Sequence, residues 1–216
     1  MRDTLRGIAI GVLLLAIGGA IDARLGIADH AVPRADGTGP WLVSRALGFA
    51  AYAALAFDAI VGLLLSTRTG DRVLGRAAAV ELHGWLSPLA LGLVASHAAL
   101  LLADGYIRFD ALDVLVPFAA PYRPLAVGLG VVAAYLALVV HASFALRKRI
   151  GVTAWRRLHY LSFVAFAGAT AHGLAAGTDT GRPWALVLYG VPLAIVVALV
   201  GKRLVPDGSR RRQGAT

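Results

Sequence analysis

The chain has 216 residues, of which 58% are hydrophobic and only 15% are charged, and its formal net charge is +9. Soluble domains carry about 25% charged and about 45–50% apolar residues, so this composition excludes an ordinary soluble domain and indicates a membrane protein. The chain contains no cysteine, which excludes disulfides, iron–sulfur clusters, thiolate zinc sites and thioether-linked haem. Any redox cofactor must therefore be held through nitrogen or oxygen.

Six apolar stretches are long enough, or nearly so, to cross about 30 Å of hydrocarbon, which takes about 20 helical residues. They lie near residues 5–23, 41–66, 77–102, 122–146, 155–176 and 183–204. The first stretch follows two arginines, as in a signal peptide, but the cleavage pattern after it is weak and we interpret it as a retained membrane helix. The predicted fold is an all-α membrane protein, a six-transmembrane-helix bundle over residues 1–204.

Basic residues are concentrated on one side of this predicted bundle. With the amino terminus in the cytoplasm, 15 of the 21 Lys and Arg residues lie on the cytoplasmic side and 5 on the outer side. Because Lys and Arg are retained inside, we expect both termini to be cytoplasmic, in a multi-pass protein of a bacterial cytoplasmic (inner) membrane. Residues 205–216 are expected to form a basic, disordered cytoplasmic tail. This topology accounts for the positive charge, so the expected partner is the lipid bilayer and not nucleic acid.

Histidines carry the main functional signal. Five of the six lie in predicted membrane helices, where a polar ring is costly and usually faces the bundle interior with a partner. His83 and His97 are 14 residues apart in the third predicted helix, and His159 and His172 are 13 apart in the fifth. At 1.5 Å per residue these spacings are about 21 Å and about 20 Å. Both helices run outward from the cytoplasm, so the four rings are expected to form two cross-helix pairs, one near each membrane face.

Two facing imidazoles can bind the iron of a flat porphyrin from both sides, since imidazole is a common ligand of haem iron. Two such haems along the membrane normal would form an electron path through the bilayer. One geometric point needs an explanation: on an ideal helix, 13 residues leave two rings about 140° apart. We therefore expect curvature, a local irregularity or different rotamers in the fifth helix.

On these residues the chain resembles the ferric-reductase-type transmembrane domain. That family includes ferric reductases, the membrane half of NADPH oxidases and the bacterial haem subunit of periplasmic methionine-sulfoxide reductase. The resemblance covers residues 41–204 and extends to the WRRLH and HGLAAGTD segments around the fifth helix. It implies two non-covalent b-type haems, the inner one bound by His83 and His159 and the outer one by His97 and His172. It also implies that Arg45 lies near the outer haem.

Two departures from the family pattern shape the functional expectation. Leu101 stands where NADPH oxidases carry a further histidine, so superoxide production is not expected. No glycine-rich nucleotide fingerprint follows the sixth helix, so FAD is expected only through a partner. The resemblance thus implies an oxidoreductase membrane subunit that moves single electrons from a cytoplasmic flavin reductase or a quinol. The expected acceptor is ferric iron or a partner redox enzyme on the outer side.

Asp58 and His141 are further polar residues in the predicted membrane helices. Asp58 is a candidate to orient a haem-ligating imidazole or to relay a proton at a quinol site, and a protonated structural carboxyl is the alternative. His141 lies at the depth of His83, which makes it a rival inner ligand, or a contact for a propionate or a quinone. Two other functions stay open: a single-haem subunit, and a haem-free transporter or assembly subunit whose histidines and Asp58 handle protons or metal ions.

Overall fold

The structure, a computed structural model, describes residues 39–67, 75–105 and 107–204. All regular secondary structure in these residues is helical. The elements are α1 (Gly39–Thr67), α2 (Arg76–Leu101), the short α3 (Ala111–Leu115), α4 (Pro124–His159), α5 (Leu161–Ala176) and α6 (Pro183–Leu204). The all-helical prediction is therefore confirmed for this part of the chain. The predicted helix at 5–23 and the predicted tail at 205–216 lie outside the described residues.

Four helical stretches within the described ranges are long and apolar enough to cross a membrane, by length and composition. These are Gly39–Thr67, Arg76–Leu101, Pro124–Ala176 and Pro183–Leu204. Only 11% to 33% of the residues in their apolar windows are buried inside the protein. Helices that are apolar on their outward faces as well as their inward ones are typical of membrane spans. The described chain is thus a multi-pass membrane protein, while the count of six spans and the sides of the termini stay predictions.

The stretch Pro124–Ala176 folds back on itself at Gly151. The backbone there has φ 80° and ψ 158°, a conformation that glycine adopts without a Cβ clash. Phe144 and Trp155, on opposite sides of the turn, have ring centroids 6.2 Å apart. The two antiparallel arms correspond to the stretches predicted at 122–146 and 155–176. Because one glycine makes the reversal, α4 runs further toward the turn than the sequence pattern indicated.

An aromatic core joins α1 to α5 and α6. Tyr52 of α1 stacks on Phe166 of α5, with ring centroids 5.9 Å apart, and lies 4.6 Å from the ring of Tyr189 in α6. Thr170 donates a hydrogen bond of 3.2 Å to the Tyr52 hydroxyl. The other close pairings are α1 along α2 and α4 along α5. This arrangement leaves a space between α2 and α5, the two helical arms that carry the paired histidines.

The loop between α2 and α4 closes one end of that space. It contains α3, which begins at a capping box formed by Asp110 and Asp113. At the end of the loop, Arg123 donates a hydrogen bond of 2.6 Å to the carbonyl of Ala175. This contact satisfies one of the last carbonyl groups of α5, which have no partner within their own helix. The loop is thereby tied to the end of α5 that carries His172.

Candidate functional site: two histidine pairs

Two histidine pairs occupy the space between α2 and the arm that contains α5. The ring centroids of His83 and His159 lie 6.2 Å apart, and those of His97 and His172 also lie 6.2 Å apart. The structure therefore brings together the partners that the spacing predicts. The two levels are separated by 13 or 14 residues along the helices, which is about 20 Å.

The separation within each pair indicates what fits between the rings. A ring nitrogen lies about 1.15 Å from the centroid of an imidazole whose bonds are about 1.35 Å long. A direct hydrogen bond of about 3.0 Å between two such nitrogens would place the centroids about 5.3 Å apart. One metal atom bound by both nitrogens, with bonds of about 2.0 Å, would place them about 6.3 Å apart. The observed 6.2 Å matches the second arrangement at both levels.

Backbone carbonyls fix both rings of the His97–His172 pair. Nδ1 of His97 lies 2.7 Å from the carbonyl oxygen of Ser44 in α1. Nδ1 of His172 lies 2.8 Å from the carbonyl oxygen of Ala126 in α4. Donation from one ring nitrogen to a carbonyl is the usual way in which metal-binding histidines are oriented. It leaves Nε2 of each ring as the nitrogen available for a ligand.

A carboxylate takes the same position beside His83. Asp58 in α1 is only 9% exposed, and its Oδ1 lies 2.7 Å from Nδ1 of His83. The contact agrees with the interpretation that Asp58 orients a histidine, whereas its predicted role at a quinol site is untested. The partner ring, His159, lies beside Trp155 with ring centroids 5.2 Å apart.

Two glycines of α1 make room for the histidines of α2. A Cβ atom placed on Gly48 would lie 3.1 Å from Nδ1 of His97, and one on Gly62 would lie 3.2 Å from Cε1 of His83. The two glycines are 14 residues apart, as are the two histidines they face. The sequence analysis did not single out these glycines. Equal spacing on two adjacent helices that run antiparallel was the signal that could have found them.

A similar pattern relates α4 to the following arm. A Cβ atom on Gly130 would lie 2.7 Å from Nδ1 of His172, so only glycine fits there without a shift of the ring. Ser143 lies 13 residues after Gly130, matching the separation of His159 and His172. Ser143 is 3% exposed, and the antiparallel register places this small residue at the level of His159. Small residues therefore recur at both levels on both neighbouring helices.

A cavity of about 240 Å³ surrounds the His97–His172 pair. One water needs about 10–15 Å³, so the cavity is large enough for a much bigger group. Its wall is formed mostly by apolar side chains of α1, α2, α4 and α5. It extends from Arg45 at one end to Asp58 and Ser87 at the other. The space is thus enclosed by the helices that carry the histidines and their acceptors.

Arg45 lies in the wall of this cavity, as expected for a residue near the outer haem. Its guanidinium forms an ion pair with Asp179 and lies 4.8 Å from the ring centroid of Trp41. The sequence analysis did not identify Asp179 as its partner. The predicted contact of Arg45 with a haem is untested.

His141, the rival inner ligand in the sequence analysis, is outside both pairs. It is exposed on α4, and its Nδ1 lies 3.2 Å from Oγ of Ser87 in α2. The structure pairs His83 with His159 instead. Depth alone could not separate these two candidates, because the difference lies in the rotation of the helices about their axes.

The irregularity expected between His159 and His172 lies at Tyr160. The Tyr160 N–H is shared between the carbonyls of Arg156 and Arg157, at 3.3 and 3.2 Å, and Phe163 N donates to the Tyr160 carbonyl at 3.1 Å. Bonds of this i to i+3 type tighten a helix to about 3.0 residues per turn, which adds about 20° of rotation per residue. The distortion directly after His159 supplies part of the rotation that an ideal helix lacks.

The donor set fits a haem better than a bare metal ion. In the part of the chain that the structure describes, no group of three or more His, Cys, Asp or Glu side chains could hold a metal ion. Structural zinc takes four ligands, whereas a haem iron already has four porphyrin nitrogens and accepts axial histidines. Two imidazoles per level, each with its second nitrogen free, match that need. No protein-family model, no curated protein and no solved structure matches the chain.

Proposed function

We propose that the chain is a transmembrane b-type dihaem cytochrome that passes single electrons from one membrane face to the other. His83 and His159 hold one haem, and His97 and His172 hold the second. The observation that carries this proposal is the pair of 6.2 Å ring separations at two levels. A bound haem supplies reversible one-electron oxidation and reduction, which no side chain of this cysteine-free protein provides.

The residues around the histidines have three tasks in this function. The carbonyls of Ser44 and Ala126 and the carboxylate of Asp58 orient the imidazoles. Glycines and other small residues leave space for a planar ligand between the helices. Apolar side chains in the cavity wall exclude water from the ligand, and burial of this kind is one of the means by which a protein tunes a haem.

The separation of the two levels suits an electron path across a bilayer. The levels lie about 20 Å apart along the helices, against about 30 Å of hydrocarbon, so each is close to one membrane face. With cytoplasmic termini, as the charge distribution predicts, the His83–His159 pair faces the cytoplasm. A flavin reductase or a quinol there gives up one electron at a time. An outer acceptor, ferric iron or a redox protein, takes up one electron at a time.

The proposal places the chain in the bacterial cytoplasmic membrane as an oxidoreductase subunit that obtains FAD chemistry only through a partner. The resemblance to the ferric-reductase-type transmembrane domain supports this assignment through the spacing of the histidines. A quinone is a further candidate ligand. The acceptor and the donor are proposed by class only, because the site itself selects for a haem and not for a particular partner.

The test is an optical spectrum of the detergent-purified protein, oxidised and then reduced with dithionite, with the haem counted as its pyridine complex. We expect two b-type haems per chain in the wild-type protein and one in His97→Ala. The matched control is His141→Ala, which removes an exposed imidazole outside both pairs and is expected to keep two haems.

Protein without haem, purified after expression with an ample haem supply, overturns the proposal. In that case the histidines and Asp58 would be assigned to proton or metal-ion handling in a transporter. Two haems in His97→Ala would leave the cytochrome in place but contradict the assignment of His97 as a ligand. One haem in the wild-type protein would leave a single-haem subunit.

A further inference from the structure

The two histidine pairs differ in the charge of the groups that fix them. Neutral backbone carbonyls accept the Nδ1 hydrogens of His97 and His172. A carboxylate, that of Asp58, lies 2.7 Å from Nδ1 of His83. Because Asp58 is buried in α1, solvent screens its charge much less than that of a surface carboxylate.

Other charges do not cancel this difference. Near the His97–His172 cavity, the carboxylate of Asp179 is neutralised by its ion pair with Arg45. Near His159, Arg203 donates a hydrogen bond of 3.1 Å to the Tyr160 hydroxyl, and Arg147 lies 5.5 Å from the ring centroid of Trp155. Both arginines are exposed, so water and salt weaken their field.

A negative charge near an iron ion favours its oxidised form, which carries one more positive charge than the reduced form. Hydrogen bonding from a ligating imidazole to a carboxylate also makes the ligand more basic, with the same consequence. We propose, on the basis of the function proposed above, that Asp58 gives the His83–His159 haem the lower reduction potential of the two. Electrons then run downhill from the His83 end of the bundle to the His97 end. Asp58 acts through His83 and is a positioning residue.

The test is a redox titration of the full-length protein, followed in the absorbance of the reduced haems. Single-haem variants assign the two potentials: His97→Ala keeps only the His83–His159 site, and His83→Ala keeps only the other. We expect the first site to have the lower potential, by at least about tenfold in the reduction equilibrium, which corresponds to about 59 mV for one electron.

Asp58→Asn removes the charge and keeps the shape of the side chain. It is expected to raise the lower potential by about tenfold in the reduction equilibrium and to shift the other potential by less than about threefold. Asp58→Glu keeps the charge and should leave both potentials near their wild-type values. The matched control is Glu81→Gln, which removes an exposed carboxylate of the same helix end that carries His83 and should shift neither potential.

Three outcomes overturn the inference. The first is two haems in Asp58→Asn with unchanged potentials, and the second is an equal shift of both. If Asp58→Asn does not retain both haems, the order of the wild-type potentials decides, and a higher potential at the His83–His159 site is the third. These results leave the proposed function intact, whereas wild-type protein without haem contradicts both.

Discussion

The His97–His172 pair and the His83–His159 pair have the same ring separation but are held by different parts of the protein. Backbone carbonyls of α1 and α4 orient the first pair. A single side chain, Asp58, orients His83 in the second. A carbonyl is fixed by the helix to which it belongs, so it is as stable as the fold. A carboxylate can be replaced by one substitution, so it is the more adjustable anchor.

The two pairs also differ in the space behind the rings. At His172 the neighbouring glycine is so close that an added Cβ atom would lie 2.7 Å from the ring, whereas at His83 the corresponding distance is 3.2 Å. The first is shorter than contacts that real Cβ atoms make, and the second requires a shift of only a few tenths of an ångström. Steric changes should therefore damage the His97–His172 site more, and electrostatic changes the His83–His159 site more.

The largest effect is expected from Gly130→Ala. The new methyl group would displace the His172 ring from the Ala126 carbonyl that orients it. Losing such an orienting contact typically costs about 10- to 100-fold in metal affinity. We therefore expect the haem count to fall from two per chain toward one, with the remaining haem at the His83–His159 site.

Two glycine variants sharpen this comparison. Gly62→Ala, beside His83, should retain both haems because the ring needs to move only slightly. Gly84→Ala is the matched control, since an added Cβ atom there meets no heavy atom within 4 Å. Equal haem loss in Gly130→Ala and Gly62→Ala would show that the two pairs tolerate added volume alike.

A smaller effect is expected from Arg45→Gln. Removing the guanidinium leaves the charge of Asp179 unbalanced at the end of the cavity that contains His97 and His172. A negative charge favours oxidised iron, so the potential of that site should fall. Because the Arg45 side chain is 30% exposed, we expect only about a threefold change in the reduction equilibrium.

The redox titration that separates the two haems measures this shift. Arg108→Gln, which removes an exposed arginine of the α2–α4 loop, is the control and should change neither potential. A rise in the potential, or an equal shift at both sites, would contradict the assignment of Arg45 to the His97–His172 end. With both Arg45 and Asp58 substituted by their neutral analogues, the two potentials should approach each other.

Most of the helical architecture could be predicted from the sequence, because apolar runs bounded by glycine, proline and charge have few alternatives. The run at 77–102 is α2, Arg76–Leu101, in the structure. The pairing of His83 with His159 followed from two equal spacings on helices of the same direction. The choice of His159 over His141 did not, because it depends on how far each helix is rotated about its axis.

The groups that orient the rings were less predictable. A backbone carbonyl is present at every residue, so no residue type marks Ser44 or Ala126 as acceptors for imidazoles. Asp58 was identifiable because a carboxyl group in an apolar helix is costly and needs a partner. The turn at Gly151 was predicted only as a connection, since the conformation of a single glycine is not visible in a hydrophobic pattern.

The smallest effect is expected from Ser44→Ala, which tests whether backbone anchoring is as robust as the comparison implies. Ser44 is 1% exposed, and its hydroxyl donates a hydrogen bond of 2.8 Å to the His97 carbonyl. The substitution removes this bond but keeps the Ser44 carbonyl that accepts the Nδ1 hydrogen. Loss of one hydrogen bond between membrane helices costs about 0.6 kcal/mol on average. We therefore expect two haems, nearly unchanged potentials and a slightly lower unfolding temperature.

Ser66→Ala is the matched control, because its hydroxyl also donates to a carbonyl of α1, that of Leu63, but lies away from the histidines. Both variants should lower thermal stability by similar small amounts. A shift of the His97–His172 potential in Ser44→Ala as large as that of Asp58→Asn at the other site would show that the hydroxyl orients His97. The two pairs would then both depend on side chains, and the contrast between a fixed and an adjustable anchor would be lost.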